Sequence, residues 1–520
     1  MSSKIIGRLI GKSVAELSFR SFRDSYISIG SIVTVNDESR DRTYLLRVID
    51  VSYGHESSEA NWAEKAAGRM MEEDTRGNAY RIHDPDRRLY KLVKCSPLGY
   101  VSNNAFHRPR SIPEHFSRVL TPDEETMAFL REYSGDLIVG HLRCGEDTLN
   151  IPLGIDGTTL SQHVGIFATT GMGKSNLMKV LAAAIMEHPS YGLLIFDPHG
   201  EYFDGGQGGK RKGLKHHPLA EKRLFTRSLR KLSGNKDTLA IPLKDIEIED
   251  ITQIFGFSQA QYEALQAIRI KYGKEWLIKL ISIDIETLIE ELRDSRLNFH
   301  ESTMAVLIRR ANHLAEFRTV TKDNDYASVG DIVAKVQSGK AVLIDTANLS
   351  QDEDLLVTSV ITRSVLKSYK YKYQQAEGEF DKLSPCLIML EEAQRVLMAS
   401  AGDTNIFHRV VREGRKFKVG LGVITQQPKL LSEELLSQLN SMFILGLADE
   451  RDRTIMRSSS KQDISSLGTE IQTLAAGEAI LTSPTVPFAL PLKIFLYEDY
   501  LARLPKDIAK PAERPAEGFF

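Results

Sequence analysis

The sequence predicts an α/β protein: a parallel sheet covered by helices, preceded by a small β-barrel. Three observations predict it. Short β-rich runs fill residues 1–155, short apolar strands alternate with longer helical stretches from residue 160, and a glycine-rich loop at 168–175 sits between a strand and a helix. Nearly continuous apolar strands separated by helices are the mark of a parallel sheet buried on both faces.

In the first region, KIIGRLIG, GSIVTVND, RTYLLRVIDVSYG, RLYKLVKC, DLIVGHLR and LNIPLGID are rich in Val, Ile, Leu and Tyr and punctuated by Gly, Asn and Asp. Strands at this spacing predict a barrel, interrupted by one helix around Ser57 to Glu73. The strands of the second region are HVGIFA, LLIFD, AVLID, PCLIML, GLGVIT and FILGL. Between 246 and 318 such strands stop. There MAVLIRRANHL puts Met304, Leu307, Ile308, Ala311 and Leu314 on one helical face, and Ser258 with Gln261 has the spacing of a capping box. The expected organisation is a β domain at 1–155, an α/β core at 156–500 with an all-helical insertion at about 246–318, and a polar, proline-containing tail at 501–520.

Hydrophobic residues make up 42% and charged residues 26% of 520, which excludes a disordered, collagenous or coiled-coil chain. Lys+Arg is 67 against 69 Asp+Glu, so no overall basic charge advertises nucleic acid, and any basic lining is local. Cys95, Cys144 and Cys386 are far apart and lack CxxC spacing, which argues against a disulfide framework or zinc site and for a reducing cytoplasm. The N-terminal MSSKIIGRLIGK is broken by Lys4, Arg8 and Lys12, and no apolar run nears the ~18 residues of a membrane span. The expectation is a soluble cytoplasmic protein with no membrane contact.

Residues 168–175 read Ala-Thr-Thr-Gly-Met-Gly-Lys-Ser, the P-loop pattern with Ala168 in the place of the first glycine. The flanking HVGIF strand and NLMKVLAAAIM helix supply the context this motif needs. Thr170, Gly171, Met172 and Gly173 form the loop whose backbone N–H groups curl around a phosphate, with the helix N-terminus behind them. Lys174 is placed to reach the β- and γ-phosphates, the Ser175 hydroxyl to ligate Mg2+, and Asn176 follows in the first turn. The expected ligands are ATP and Mg2+.

A P-loop needs a carboxylate at the end of a neighbouring strand. Asp197, Asp345 and the pair Glu391–Glu392 compete, and only the pair offers two adjacent carboxylates. Glu391 is assigned to the metal's water shell and Glu392 to the attacking water as general base. Asp345 reads as a strand-ending turn. Asp197 opens DPHGEY, where a turn accounts for Asp, Pro and Gly but not for His199 and Glu201. Gln426 stands at the tip of GLGVIT, within reach of the γ-phosphate or its water. Arg412 and Arg415 lie one turn apart, either as a solvated basic face or as arginine fingers for a neighbouring subunit.

ATTGMGKS, DPHGEY, LEEAQ, REGRKF and ITQQP, in this order behind a β-rich domain, resemble the HerA-type hexameric ATPases of the HerA/FtsK superfamily of DNA translocases, over nearly the whole chain. The resemblance implies a HAS-barrel-like N-terminus, a RecA-like core, and a homo-hexameric ring that threads double-stranded DNA through its pore. It implies a partner on the N-terminal barrel: a NurA-like nuclease or an antiphage-defence effector. Carried over by position, Lys174 and Ser175 are the Walker A residues, Glu391 and Glu392 the Walker B pair, Gln426 the sensor and Arg415 the finger, with Arg412 second. Arg143 is a further basic candidate at the nucleotide near the subunit boundary. Gln427 stands where the family often has Arg. The segment 210–231, with nine Lys/Arg, reads equally as a DNA-tracking loop or a solvated rim, and the loop at 401–408 is a second pore candidate. Two other readings stay open: a ring scaffold that activates an effector with ATP as an assembly ligand, and a peripheral secretion ATPase.

Overall fold

The computed structural model describes residues 3–11, 13–57, 59, 61–77, 81–206, 211–232, 237–292, 300–323, 328–375, 377–397 and 405–505. Strands β1 (Ile5–Leu9), β2 (Leu17–Phe22), β3 (Ile32–Asp37), β4 (Arg42–His55), β5 (Leu89–Ser102), β6 (Ala105–His107) and β7 (Arg118–Leu120) form one antiparallel sheet. Its order is β2-β1-β7-β3-β4-β5-β6, and an extra β2–β5 pairing closes six strands into a barrel. Alternate residues fill it: Phe19, Val33, Val35, Tyr44, Leu46, Val48 and Val93 are almost wholly buried. The helix expected at Ser57–Glu73 is Trp62–Thr75, on the long β4–β5 connection.

The barrel ends sooner than expected. DLIVGHLR and LNIPLGID become β8 (Leu137–Cys144) and β9 (Asp147–Ile155), a hairpin that joins the core sheet and not the barrel. The boundary at 155 is corrected on this ground: strand alternation marks a half-buried strand without saying which sheet receives it.

The core sheet then runs through β10 (Val164–Phe167), β11 (Gly192–Asp197) and β12 (Leu224–Ser228). A two-residue parallel pair, β13 (Ile241–Pro242) and β14 (Val320–Thr321), closes the base of the insertion. Last come β15 (Ala341–Asp345), β16 (Cys386–Leu390), β17 (Val419–Thr425), β18 (Ser441–Ile444), β19 (Glu478–Thr482) and β20 (Leu490–Ile494). The order is β12-β15-β11-β16-β17-β10-β18-β19-β20-β8-β9; it is parallel as far as β18 and antiparallel beyond. The glutamine strand β17 lies between the P-loop strand β10 and the carboxylate strand β16, the layout of a RecA-like P-loop core.

Both faces of this sheet are covered. On β11, Leu193 and Ile195 join the layer of the P-loop helix Lys174–Glu187, while Leu194 and Phe196 join the layer of the helix Gln351–Gln375 and the insertion. The described residues of the insertion between β13 and β14 form helices joined by turns and short loops, with no strand among them. Ser258 Oγ accepts from Gln261 N at 3.3 Å and Gln261 Oε1 from Ser258 N at 3.1 Å, the expected capping box. Met304, Leu307, Ala311 and Leu314 are buried along Glu301–Ala315, with Ile308 half-buried.

The tail expected from 501 starts later. A helix, Tyr497–Arg503, crosses that boundary and docks on the P-loop helix, its Tyr500 hydroxyl donating to Glu187 at 2.6 Å; residues 506–520 lie outside those described. No described helix is long and apolar enough to cross a membrane.

Candidate functional site

The carboxyl ends of β10, β11, β16 and β17 meet at one edge of the sheet, the place where open parallel sheets bind ligands. The P-loop leaves β10 there. Thr169 N and Oγ1 both donate to Gly446 O, at 3.0 and 2.9 Å, and Gly477 N donates to Met172 O at 3.1 Å. These bonds hold the loop from outside. Gly171 and Gly173 have φ of +83° and +101°, a conformation L side chains rarely adopt, and a Cβ on Gly171 would meet open space. Ala168 is fully buried with ordinary backbone, so the departure from glycine costs nothing here.

Around the loop stand the carboxylates. Glu391 is buried at the end of β16; burial, then Asp197 and Glu201, push its carboxyl up to about 8, and its Oε2 has no hydrogen-bond partner of ordinary geometry. Glu392 follows with φ of +49°, rare for a residue with a side chain. That backbone turns its carboxylate to Gln426, whose Nε2 donates to Oε1 at 2.7 Å, and to Gln394 Nε2, which donates to Oε2. Gln426 Oε1 accepts in turn from the Thr170 hydroxyl. One chain of bonds thus runs from the P-loop through Gln426 to Glu392. Burial lowers the Lys174 ammonium, opposed by Glu392, Glu391 and Glu201, so the lysine faces these three carboxylates together.

The DPHGEY turn supplies two more polar side chains. Glu201 Oε2 accepts from Ser175 Oγ at 3.0 Å, and His199 Nε2 lies 4.0 Å from Glu392 Oε1. The signal for them was in the sequence, as two polar residues more than a turn requires; their positions were not. Oxygen donors from a hydroxyl and carboxylates are those of a hard divalent cation, and the unpartnered Glu391 Oε2 beside an open glycine cradle fits a magnesium-bound polyphosphate.

The structure thus brings together Thr170, Gly171, Met172, Gly173, Lys174, Ser175, Glu391, Glu392 and Gln426. It does not bring in Arg143. That guanidinium is buried at the barrel–core junction, where it donates to Glu470 and, at 2.8 Å, to Gly145 O; the expected nucleotide contact is corrected to a structural one. Asn176 turns its side chain away: Nδ2 donates to Phe495 O at 2.7 Å and Oδ1 accepts from Tyr497 N at 2.9 Å. Asp345 is structural, accepting from Ser228 Oγ and Arg230 Nε at 2.6 and 2.7 Å. Arg412, on the helix Ile406–Glu413, and Arg415, just after it, are exposed, with Glu434 3.4 Å from Arg412.

The basic segment is only partly a free surface. Arg223 donates to Met186 O and His188 O, Arg227 pairs with Asp237 and Asp331, and Arg230 with Asp345. Residue 210 of that stretch, and 401–404 of the second pore candidate, lie outside those described.

Residues 137–365 match the family described as the helicase HerA central domain. The chain is 29% identical over 410 residues to the DNA double-strand break repair helicase HerA of Sulfolobus acidocaldarius, covering 76% of each protein. It is 27% identical over 426 residues to the protein of that name in Saccharolobus solfataricus, covering 80% of this chain and 81% of that one. Among solved structures, the plasmid coupling protein TrwB with ADP and Mg2+ gives a TM-score of 0.42 at 12% identity, over 66% of this chain and 88% of that one. The resemblance to HerA-type ATPases is borne out over most of the chain. The site is that of a P-loop enzyme that hydrolyses ATP with Mg2+.

Proposed function

We propose that this ATPase is a translocase of double-stranded DNA, working as a homo-hexameric ring. The observation that carries the reading is the convergence of Lys174, Ser175, Glu391, Glu392 and Gln426 at one sheet edge, in a chain similar over most of its length to repair helicases. Lys174 binds the β- and γ-phosphates, and Ser175 with Glu391 holds the cation. Mg2+ supplies neutralisation of phosphate charge. Glu392 takes the proton of the attacking water as that water's oxygen bonds to the γ-phosphorus; the bond to the bridging oxygen breaks, and ADP and phosphate leave. Gln426 orients Glu392 and senses the γ-phosphate.

Exposed Arg415, with Arg412 behind it, serves a neighbouring subunit's nucleotide, which supports a ring in which hydrolysis needs assembly. The N-terminal barrel docks a partner nuclease or defence effector; exposed Phe22, Tyr26 and Tyr53 on the barrel support this. The test is the ATPase rate with and without linear duplex DNA, at low and moderate salt. Stimulation that fades with salt is expected, because contacts to the phosphate backbone release counterions. A protein that at low salt neither binds DNA nor changes its rate overturns the reading.

A further inference from the structure

The DPHGEY turn is built with more care than a strand ending requires. Asp197, fully buried at the end of β11, accepts three backbone bonds: from Gly200 N at 2.7 Å, Glu201 N at 3.3 Å and Tyr202 N at 3.0 Å. Gly200 has φ of +67°, and a Cβ there would stand 2.1 Å from the Arg230 guanidinium. Tyr202 is fully buried with its hydroxyl beside Glu391. Position 201 is therefore fixed on both sides, while its own side chain is exposed at the mouth of the site. From there its carboxylate accepts from the Ser175 hydroxyl at 3.0 Å.

We propose that Glu201 is the positioning residue of the magnesium site: it holds the Ser175 hydroxyl by its proton, so that the oxygen lone pairs face the cation. The chemistry is that of an outer-shell ligand. A hydroxyl bound to a divalent cation keeps its proton, and the cation makes that O–H a stronger donor. A carboxylate acceptor then fixes the ligand's orientation and adds negative charge within reach of the metal. In the same site, Oε2 of Glu391 has no hydrogen-bond partner of ordinary geometry and would accept from the metal's water shell. Lys174 faces Glu201, Glu391 and Glu392 together, so three carboxylates stand around one ammonium, an excess of acidic groups that suits a divalent cation.

The inference rests on the ATPase reading and is tested apart from turnover. Fluorescent mant-ADP is titrated into the full-length protein at rising Mg2+, for wild type, Glu201→Gln and Glu201→Ala, with thermal melting as a folding check. Both variants should raise the Mg2+ concentration for half-maximal tightening by about 10–100-fold, as loss of an outer-shell partner does elsewhere. Mant-ADP affinity without Mg2+ should stay within about twofold, because the carboxylate acts through the cation. An unchanged Mg2+ requirement overturns the proposal and leaves the ATPase reading standing. Weakened binding without Mg2+ also overturns it, since the residue would then serve the phosphates or the fold. A wild-type protein with no Mg2+-dependent mant-ADP binding overturns both.

Discussion

Two of the buried charge clusters among the described residues are built on opposite plans. At the barrel–core junction, Glu470 stands between two guanidiniums. Arg47 donates Nε and Nη2 to it at 2.8 and 2.7 Å, and a third bond from Arg47 goes to Ala489 O at 2.6 Å; Arg143 donates from the other side. Burial pushes the Glu470 carboxyl up, yet Arg47 and then Arg143 outweigh it and hold it below the usual carboxylate range. At the nucleotide site the balance is reversed. Burial pushes Asp197 up to about 6, with Asp345 adding to it, and burial with Asp197 and Glu201 pushes Glu391 up to about 8, while Lys174 faces Glu392, Glu391 and Glu201. At the junction the acidic group is matched by guanidiniums already in place. The nucleotide site is short of positive charge, and Mg2+ with a neighbour's arginine would supply it.

The largest effect that would break this contrast is kinetic. Glu392→Gln should cut the ATPase rate by about 10²–10⁴-fold, the usual contribution of a general base, while mant-ATP still binds. A variant that hydrolyses normally would leave the exposed Glu201 as the remaining candidate base and would dissolve the division of roles among the carboxylates.

Next comes stability, where the two clusters should respond with opposite signs. Glu470→Gln leaves two buried guanidiniums without their anion and should cost about 3–5 kcal/mol, read as a lower denaturation midpoint. Glu391→Gln should cost nothing in the nucleotide-free protein, and at about pH 8 it should raise the midpoint. The native carboxyl titrates near 8, so between the ordinary carboxylate range and pH 8 the folded chain holds a proton that the unfolded chain has lost. Stability from this group is full at low pH and declines as pH rises through that window. The glutamine variant should lack the decline. Equal losses at 470 and 391 would mean that both clusters are merely structural.

How far these clusters were legible in the sequence follows from the range of the interactions. The nucleotide site was legible because each part is local: a glycine loop between strand and helix, two adjacent glutamates, a glutamine at a strand tip. The junction was not. Arg47 and Glu470 are 423 residues apart, and nothing near either one marks a partner. The same blindness misassigned Arg143, a basic residue at the end of a strand before the core. It also left β8 and β9 with the barrel, since only their pairing to β20, more than 300 residues on, decides their sheet. Strands of the parallel layer were legible because burial on both faces makes them continuously apolar. The short edge strand β12, inside a basic stretch, was not.

The smallest effect concerns a third buried ionisable group, one that meets burial by giving up its charge. His163 opens the P-loop strand, and its ring ties two other elements to it: Nε2 bonds Val411 O at 3.0 Å, on the helix that carries Arg412, and Nδ1 accepts from Leu421 N at 2.9 Å, on β17. With Nδ1 accepting, the neutral tautomer donates from Nε2 and both bonds are met. Burial above all, with the Arg415 charge, lowers its titration to about 4 against the opposing bond to Val411. The native pKa lies below the unfolded value of about 6.5, so this contribution to stability is full above that value and is lost as pH falls toward 4. The stability difference between wild type and His163→Asn should therefore shrink by about 2–3 kcal/mol from ~pH 7.5 to ~pH 4.5. The same substitution should loosen the helix that carries Arg412 and lower the ATPase rate more than mant-ADP binding. A difference in stability that stays flat with pH would mean that the ring accepts a proton inside the core and that Nδ1 is not held by Leu421.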